Sequence, residues 1–143
     1  MHRRTTATID LGAIRDNFAL ADNEAPTSKT MAVIKANAYG HGAVVLARAL
    51  ADEADAFAVA CSEEAMELRE SGIRNPIVLL EGAFEPAEID QAAAQDFTLV
   101  VHTRTQLDSL LAARPVQPLK VWLKIDTGMH RLGFSPDQFA TAH

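Results

Sequence analysis

A single cysteine, Cys61, in 143 residues leaves no internal disulfide to be made, which fits a reducing compartment. The net charge of -6 offers nothing to nucleic acid or an anionic membrane surface, both of which ask for a basic face. No apolar run approaches the roughly 20 residues that a membrane span needs. The basic start, Met1–Arg4, runs into Thr5, Thr6 and Asp10 rather than the apolar core of a signal peptide. The expected location is therefore cytoplasmic, with no nucleic acid and no membrane among the partners. Metal-ligand spacings are missing as well: there is no second cysteine, no HExxH and no paired His/carboxylate pattern, so no metal site is expected. Neither GxGxxG nor GK[ST] occurs, which removes the dinucleotide and Walker loops.

What is present is alternation. The apolar fraction of 48% and charged fraction of 22% are those of an ordinary globular domain, and 143 residues make one domain or part of a larger one. Thr6–Ile9 alternates polar and apolar residues and reads as a short strand. Asp10 offers an N-cap to a helix burying Leu11, Ile14, Phe18 and Ala21. Short apolar segments then follow at Lys29–Ala36, Ala56–Ala60, Pro76–Leu80, Phe97–Val101 and Leu119–Ile125. Between them lie helical stretches: Val44–Asp52; one capped by Ser62 and stopped by Gly72; Glu85–Ala93 opened by Pro86; and one from a Thr103/Gln106 capping box to about Ala113. A Ser135/Gln138 capping box opens a last helix, which is cut at His143. Strict strand–helix alternation means βα units and a parallel sheet covered by helices. An eight-stranded closed barrel needs about 250 residues, so length favours an open doubly wound sheet, and the motifs must decide.

The motifs centre on two lysines. Residues alternate faces along a strand, so Met31, Val33 and Lys35 share one face, as do Trp122, Lys124 and Asp126 on the last strand. Both lysines stand at the C-terminal ends of apolar segments, where ligands sit in parallel α/β folds. With both faces of the sheet covered, neither is expected to reach water easily, and burial drives a lysine to shed its proton and become a nucleophile. A lysine at a strand end is by default a solvated flank. The loop NAYGHG attached to Lys35 reverses that reading, because it brings backbone donors and the Tyr39 hydroxyl, which can bind a phosphate oxygen. Lys35 therefore suits condensation with the aldehyde of an anionic cofactor. Lys124 suits uptake of carbon dioxide as a carbamate, since Arg131 follows in DTGMHR and would pair with it. Asp126 is either a loop cap or an orienter of Arg131. His41, His130 and Cys61 read as structural.

AVIKANAYGHG at Ala32–Gly42 and WLKIDTGMHRLGF at Trp122–Phe134 resemble the two signature segments of the alanine racemase family, and ATIDLGAIRDNF at Ala7–Phe18 resembles its start. The resemblance implies a fold-type III enzyme that works as a homodimer on alanine with pyridoxal 5'-phosphate. Its fold would be a (β/α)8 TIM-type barrel followed by a β-rich domain. By position it implies that Lys35 holds the cofactor covalently and is one of two racemisation bases. Tyr39 would contact the cofactor phosphate. Arg131 would hydrogen-bond near the phenolic oxygen and the substrate carboxylate, and Lys124 would be the lysine often carbamylated in the family. Residues 1–143 would then be the N-terminal part of the barrel domain, truncated after about half the barrel, with the C-terminal β domain absent. In the family Thr6–Ile9 packs with that missing domain, and the second base is a tyrosine of the partner subunit. Tyr39 is the only tyrosine here, so the chain alone is expected to be inactive, and its open strand edges should make it aggregate, self-associate or stay partly unfolded. The alternatives are a broad-specificity amino-acid racemase and a non-catalytic cofactor-binding module.

Overall fold

A computed structural model of the chain describes residues 5–142; the readings made on Met1–Arg4 and on the cut at His143 fall outside them. Five strands form one sheet: β1 (Met31–Val33), β2 (Ala56–Val59), β3 (Ile77–Leu79), β4 (Phe97–Val101) and β5 (Lys120–Leu123). All four pairings are parallel and the spatial order is β1-β2-β3-β4-β5. That order decides between the two architectures. A doubly wound sheet reverses direction at a switch point, whereas a barrel adds each strand beside the last. The sheet here never reverses, so the length-based preference for the open fold is overturned.

Among the described residues seven helical segments accompany the strands: α1 (Leu11–Asn23), α2 (Lys35–Tyr39), α3 (Ala43–Ala49), α4 (Ser62–Glu70), α5 (Pro86–Ala94), α6 (Arg104–Ala112) and α7 (Pro136–Ala142). Asp10 caps α1 as expected, its Oδ1 accepting from the amides of Gly12 and Ala13 at 2.9 and 3.1 Å. Leu11, Ile14 and Phe18 pack on the main core, while Ala21 stays exposed. The main core lies between the sheet and the helices. Phe57, Val59, Ile77, Leu79, Phe97 and Leu99 meet Leu46, Ala65, Leu68, Ile89 and Ala92 there. Each fully buried large side chain contributes about 1.5–3 kcal/mol, so this face holds the fold together. The opposite face is thinner: Ala58, Val78 and Val100, with Met31 and Leu80 against them. Val33 and Trp122 on it are 40% and 52% exposed.

Several local readings change. Thr6–Ile9 forms no strand; its alternation meets no partner among the described residues, and an extended segment without a ladder is not a strand. The Lys29–Ala36 strand shrinks to Met31–Val33. Ile34 still donates to Ala58 O at 2.9 Å, and then the chain turns sharply into α2. Ser62 does not cap α4. It is the first helical residue, Cys61 occupies the cap position without a side-chain bond, and the Ser62 hydroxyl donates to Glu88 Oε1. Thr103 does cap α6, accepting from the Gln106 amide at 3.2 Å. The Gln106 side chain, however, reaches back one residue further, to the His102 amide at 3.1 Å. The Ser135/Gln138 box closes in both directions, at 3.0 and 3.3 Å.

Candidate active site

The C-terminal ends of the parallel strands share one edge of the sheet. There the loop after β1 does something unusual. Ala36, Asn37, Ala38 and Tyr39 all have positive φ, between 52° and 54°, and form one left-handed turn. Cβ crowding against the carbonyl makes this conformation cost roughly 1–2 kcal/mol per residue for non-glycine residues. The turn persists because its hydrogen bonds are taken up all round. Ala38 N donates to Ile34 O at 2.8 Å, and Gly42 N donates to Asn37 O at 2.9 Å. The Asn37 side chain accepts from the Ala43 amide at 2.8 Å and so caps α3. His41 Nδ1 lies 2.8 Å from Ala38 O, in line with its structural reading. At the start of the turn the Glu64 carboxylate accepts from the Ala36 amide at 2.6 Å and from the Ala60 amide at 2.8 Å. Gly40, at φ +88°, ends the turn in a conformation that glycine adopts without strain.

The loop after β5 is closed at its base. Asp126 N donates to Phe134 O and Phe134 N to Lys124 O, both at 2.8 Å. Within it Asp126 Oδ1 accepts from the amides of Gly128 and His130, each at 3.0 Å, and Oδ2 lies 3.1 Å from His130 Nδ1. Of the two roles open to Asp126, the hydrogen bonds are those of a loop cap. The amides of Gly128 and then His130 hold its carboxyl below the ordinary aspartate range, against a smaller opposing effect of burial. Burial, the largest cause, pushes the Cys61 thiol up, which leaves it a weak nucleophile at neutral pH.

Between the two loops lies a pocket of about 330 Å³ lined by Lys35, Leu80, Glu81, Lys124, Arg131 and Leu132. Its walls come from the ends of β1, β3 and β5, the alternate strands that supply one layer of a barrel interior. The sequence thus named three of its six lining residues. Tyr39 does not line it and is 61% exposed. The expectation that neither lysine reaches water fails. Lys35 and Lys124 are half-buried and Arg131 is exposed, because the inner face of a five-stranded arc is open. Three basic residues against one carboxylate make the pocket receptive to an anion, and the amines can meet an aldehyde. A larger groove of about 640 Å³ between α4 and α5 carries five glutamates and no cation, which is the wrong sign for such a ligand.

Glu64, Asn37 and Glu81 escaped the sequence reading. Glu64 was legible only as a first-turn acid on α4, and nothing in its neighbours tells of an amide 28 positions away.

Residues 9–143 match the family model described as alanine racemase, N-terminal domain. The chain belongs to this family. It is 57% identical over 139 residues to an alanine racemase of Chromohalobacter salexigens, covering 97% of this chain and 38% of that protein. It is also 57% identical over 141 residues to the catabolic alanine racemase of Pseudomonas aeruginosa, covering 99% and 39%. The crystal structure of the biosynthetic alanine racemase from P. aeruginosa superposes with a TM-score of 0.89 at 50% identity, over 93% of this chain and 37% of that one. The chain therefore spans under two-fifths of the length of these relatives, and its five βα-connected strands are the N-terminal part of a TIM-type barrel of the alanine racemase family.

Proposed function

We propose that the protein carrying this chain interconverts L-alanine and D-alanine with pyridoxal 5'-phosphate, supplying D-alanine for cell-wall peptidoglycan, and that it does so in the cytoplasm as a homodimer. The observation that carries the reading is the meeting of Lys35, Lys124 and Arg131 in one pocket at the C-terminal edge of the sheet. The pocket fits the cofactor in kind: an amine for its aldehyde, a surplus of positive charge for its phosphate, and a volume at the lower end of small-molecule sites, about 300–1,000 Å³. When bound, the cofactor supplies an electron sink that acidifies the substrate Cα–H.

The residues of this chain then divide the work. Lys35 Nζ would hold the cofactor through its aldehyde carbon. The same nitrogen, when free of the cofactor, would carry a proton to or from the substrate Cα on one face. The Tyr39 hydroxyl, outside the pocket lining but on the lysine loop, would donate to a phosphate oxygen. The Arg131 guanidinium would orient the substrate carboxylate and hydrogen-bond near the phenolic oxygen. Addition of carbon dioxide to the Lys124 amine, with loss of a proton, would leave a carbamate anion that pairs with Arg131 by charge. Inverting a planar centre needs proton carriers on both faces, and Lys35 serves only one. The second would come from outside this chain, whose only tyrosine is assigned to the phosphate.

Incubation with pyridoxal 5'-phosphate, borohydride reduction and peptide mapping test this. The expected result is one adduct, on Lys35, that Lys35→Ala abolishes, with alanine racemised by the complete protein and not by the 143-residue chain. An adduct elsewhere, or racemisation by the chain alone, would overturn the assignment.

A further inference from the structure

The Glu64 carboxylate joins two places that the backbone alone leaves apart. One oxygen takes the Ala36 amide, the first after Lys35, and the other takes the Ala60 amide, just beyond the end of β2. A first-turn glutamate on a helix ordinarily earns its place by facing the helix dipole. Glu63 beside it is exposed and has only that kind of local role, bonding within the Cys61–Glu63 turn. Glu64 is half-buried and reaches across from α4 to the lysine loop. Its two bonds are charge-assisted, the stronger class of hydrogen bond. The amide it holds opens the left-handed turn, whose four consecutive non-glycine residues at positive φ need such partners to offset the cost of that backbone.

We propose that Glu64 is a positioning residue for Lys35. Fixing the Ala36 amide fixes the peptide plane between residues 35 and 36, and with it the direction in which the Lys35 side chain leaves the end of β1. No ion pair joins Glu64 to Lys35 among the described residues. The carboxylate therefore acts through the backbone and leaves the amine available to the pocket it shares with Lys124 and Arg131. Glu64 thus plays for the lysine the part that second-layer hydrogen bonds play for a metal ligand: it sets orientation without touching the reacting atom. The inference rests on the reading of Lys35 as the cofactor lysine, but its geometric half stands without it.

The test uses the complete protein carrying this chain, as wild type, Glu64→Ala and Glu64→Gln. Glutamine keeps one acceptor at the same length, so it preserves one bond and guards against a variant that simply unfolds. Residue-resolved amide exchange reads the clamp, with Val78 in β3 as the internal control. Reductive trapping of pyridoxal 5'-phosphate on Lys35, relative to Lys29, reads its consequence. Loss of a charge-assisted hydrogen bond predicts about tenfold or greater acceleration of Ala36 exchange in Glu64→Ala, with an intermediate effect in Glu64→Gln. Val78 should be unchanged and Lys35 trapping should fall in the same order. Unchanged Ala36 exchange in the folded variants overturns the clamp. Freed Ala36 with undiminished Lys35 trapping overturns the positioning role. Freed Ala36 in a protein whose wild type never traps the cofactor on Lys35 leaves the clamp standing and overturns the cofactor reading instead.

Discussion

Asp126 shows how a single carboxylate can organise a loop that carries a candidate site residue. Its oxygens gather the amides of Gly128 and His130 and the His130 ring, and Arg131 follows directly. Because those amides favour the charged form, its folded pKa lies below its unfolded one. The unfolded chain then binds the proton first as pH drops. The stabilisation is full above the unfolded aspartate value, near 3.9, and is lost as pH falls from there through the folded value. We expect the amide proton resonances of Gly128 and His130 to move together in that acid range, and Asp126→Asn to remove the transition. Cys61, with its thiol pushed up by burial, should alkylate with iodoacetamide at pH 7 several-fold more slowly than an unperturbed cysteine, since only the thiolate reacts.

Elements at the C-terminal edge are more constrained than their lengths suggest. The loop closing β5 depends on Gly133. It sits at φ +122°, and a β-carbon there would lie 2.6 Å from Asp126 N and 2.9 Å from Ile125 C. Gly133→Ala combines a backbone clash with a conformation that L side chains rarely adopt, so it should cost at least roughly 1–3 kcal/mol, the range for overpacking. Thermal unfolding measures that loss. The same substitution should weaken cofactor binding, because the pocket wall formed by Arg131 and Leu132 hangs from this loop. In the loop after β1, the alternating pattern of Met31–Lys35 put Met31 and Ile34 on opposite faces, and they do pack into different clusters. It carried no hint that the chain reverses its handedness at Ala36. Helical and strand propensities describe right-handed and extended backbone, and a left-handed turn is held by partners from α3 and α4 that sequence spacing does not reveal.

At the scale of the molecule, β1 and β5 end the sheet, so each leaves a row of backbone donors and acceptors without a neighbour in it. Trp122, Val121 and Leu111 stay exposed at 52%, 40% and 64%, and open edges beside apolar surface invite pairing with other chains. The isolated 143-residue chain is expected to sediment as oligomers or aggregates rather than as a monomer, and to show no racemase activity. A monodisperse monomer in sedimentation velocity would contradict the first. The sequence alone determined the alternation of strands and helices and the caps at Asp10, Thr103 and Ser135, and it singled out Lys35, Lys124 and Arg131, which share one pocket. Each of these is written in a local pattern of period, cap chemistry or motif. Only the tertiary structure decided the strand order, the openness of the inner face, and the tie between Glu64 and Ala36. These depend on which segments become neighbours, and that is settled by the packing of Phe57, Ile77, Leu79 and Phe97 under the helices rather than by any one stretch of chain. AVIKANAYGHG announces a lysine with a loop behind it; α4, folded against that loop, determines where the lysine points.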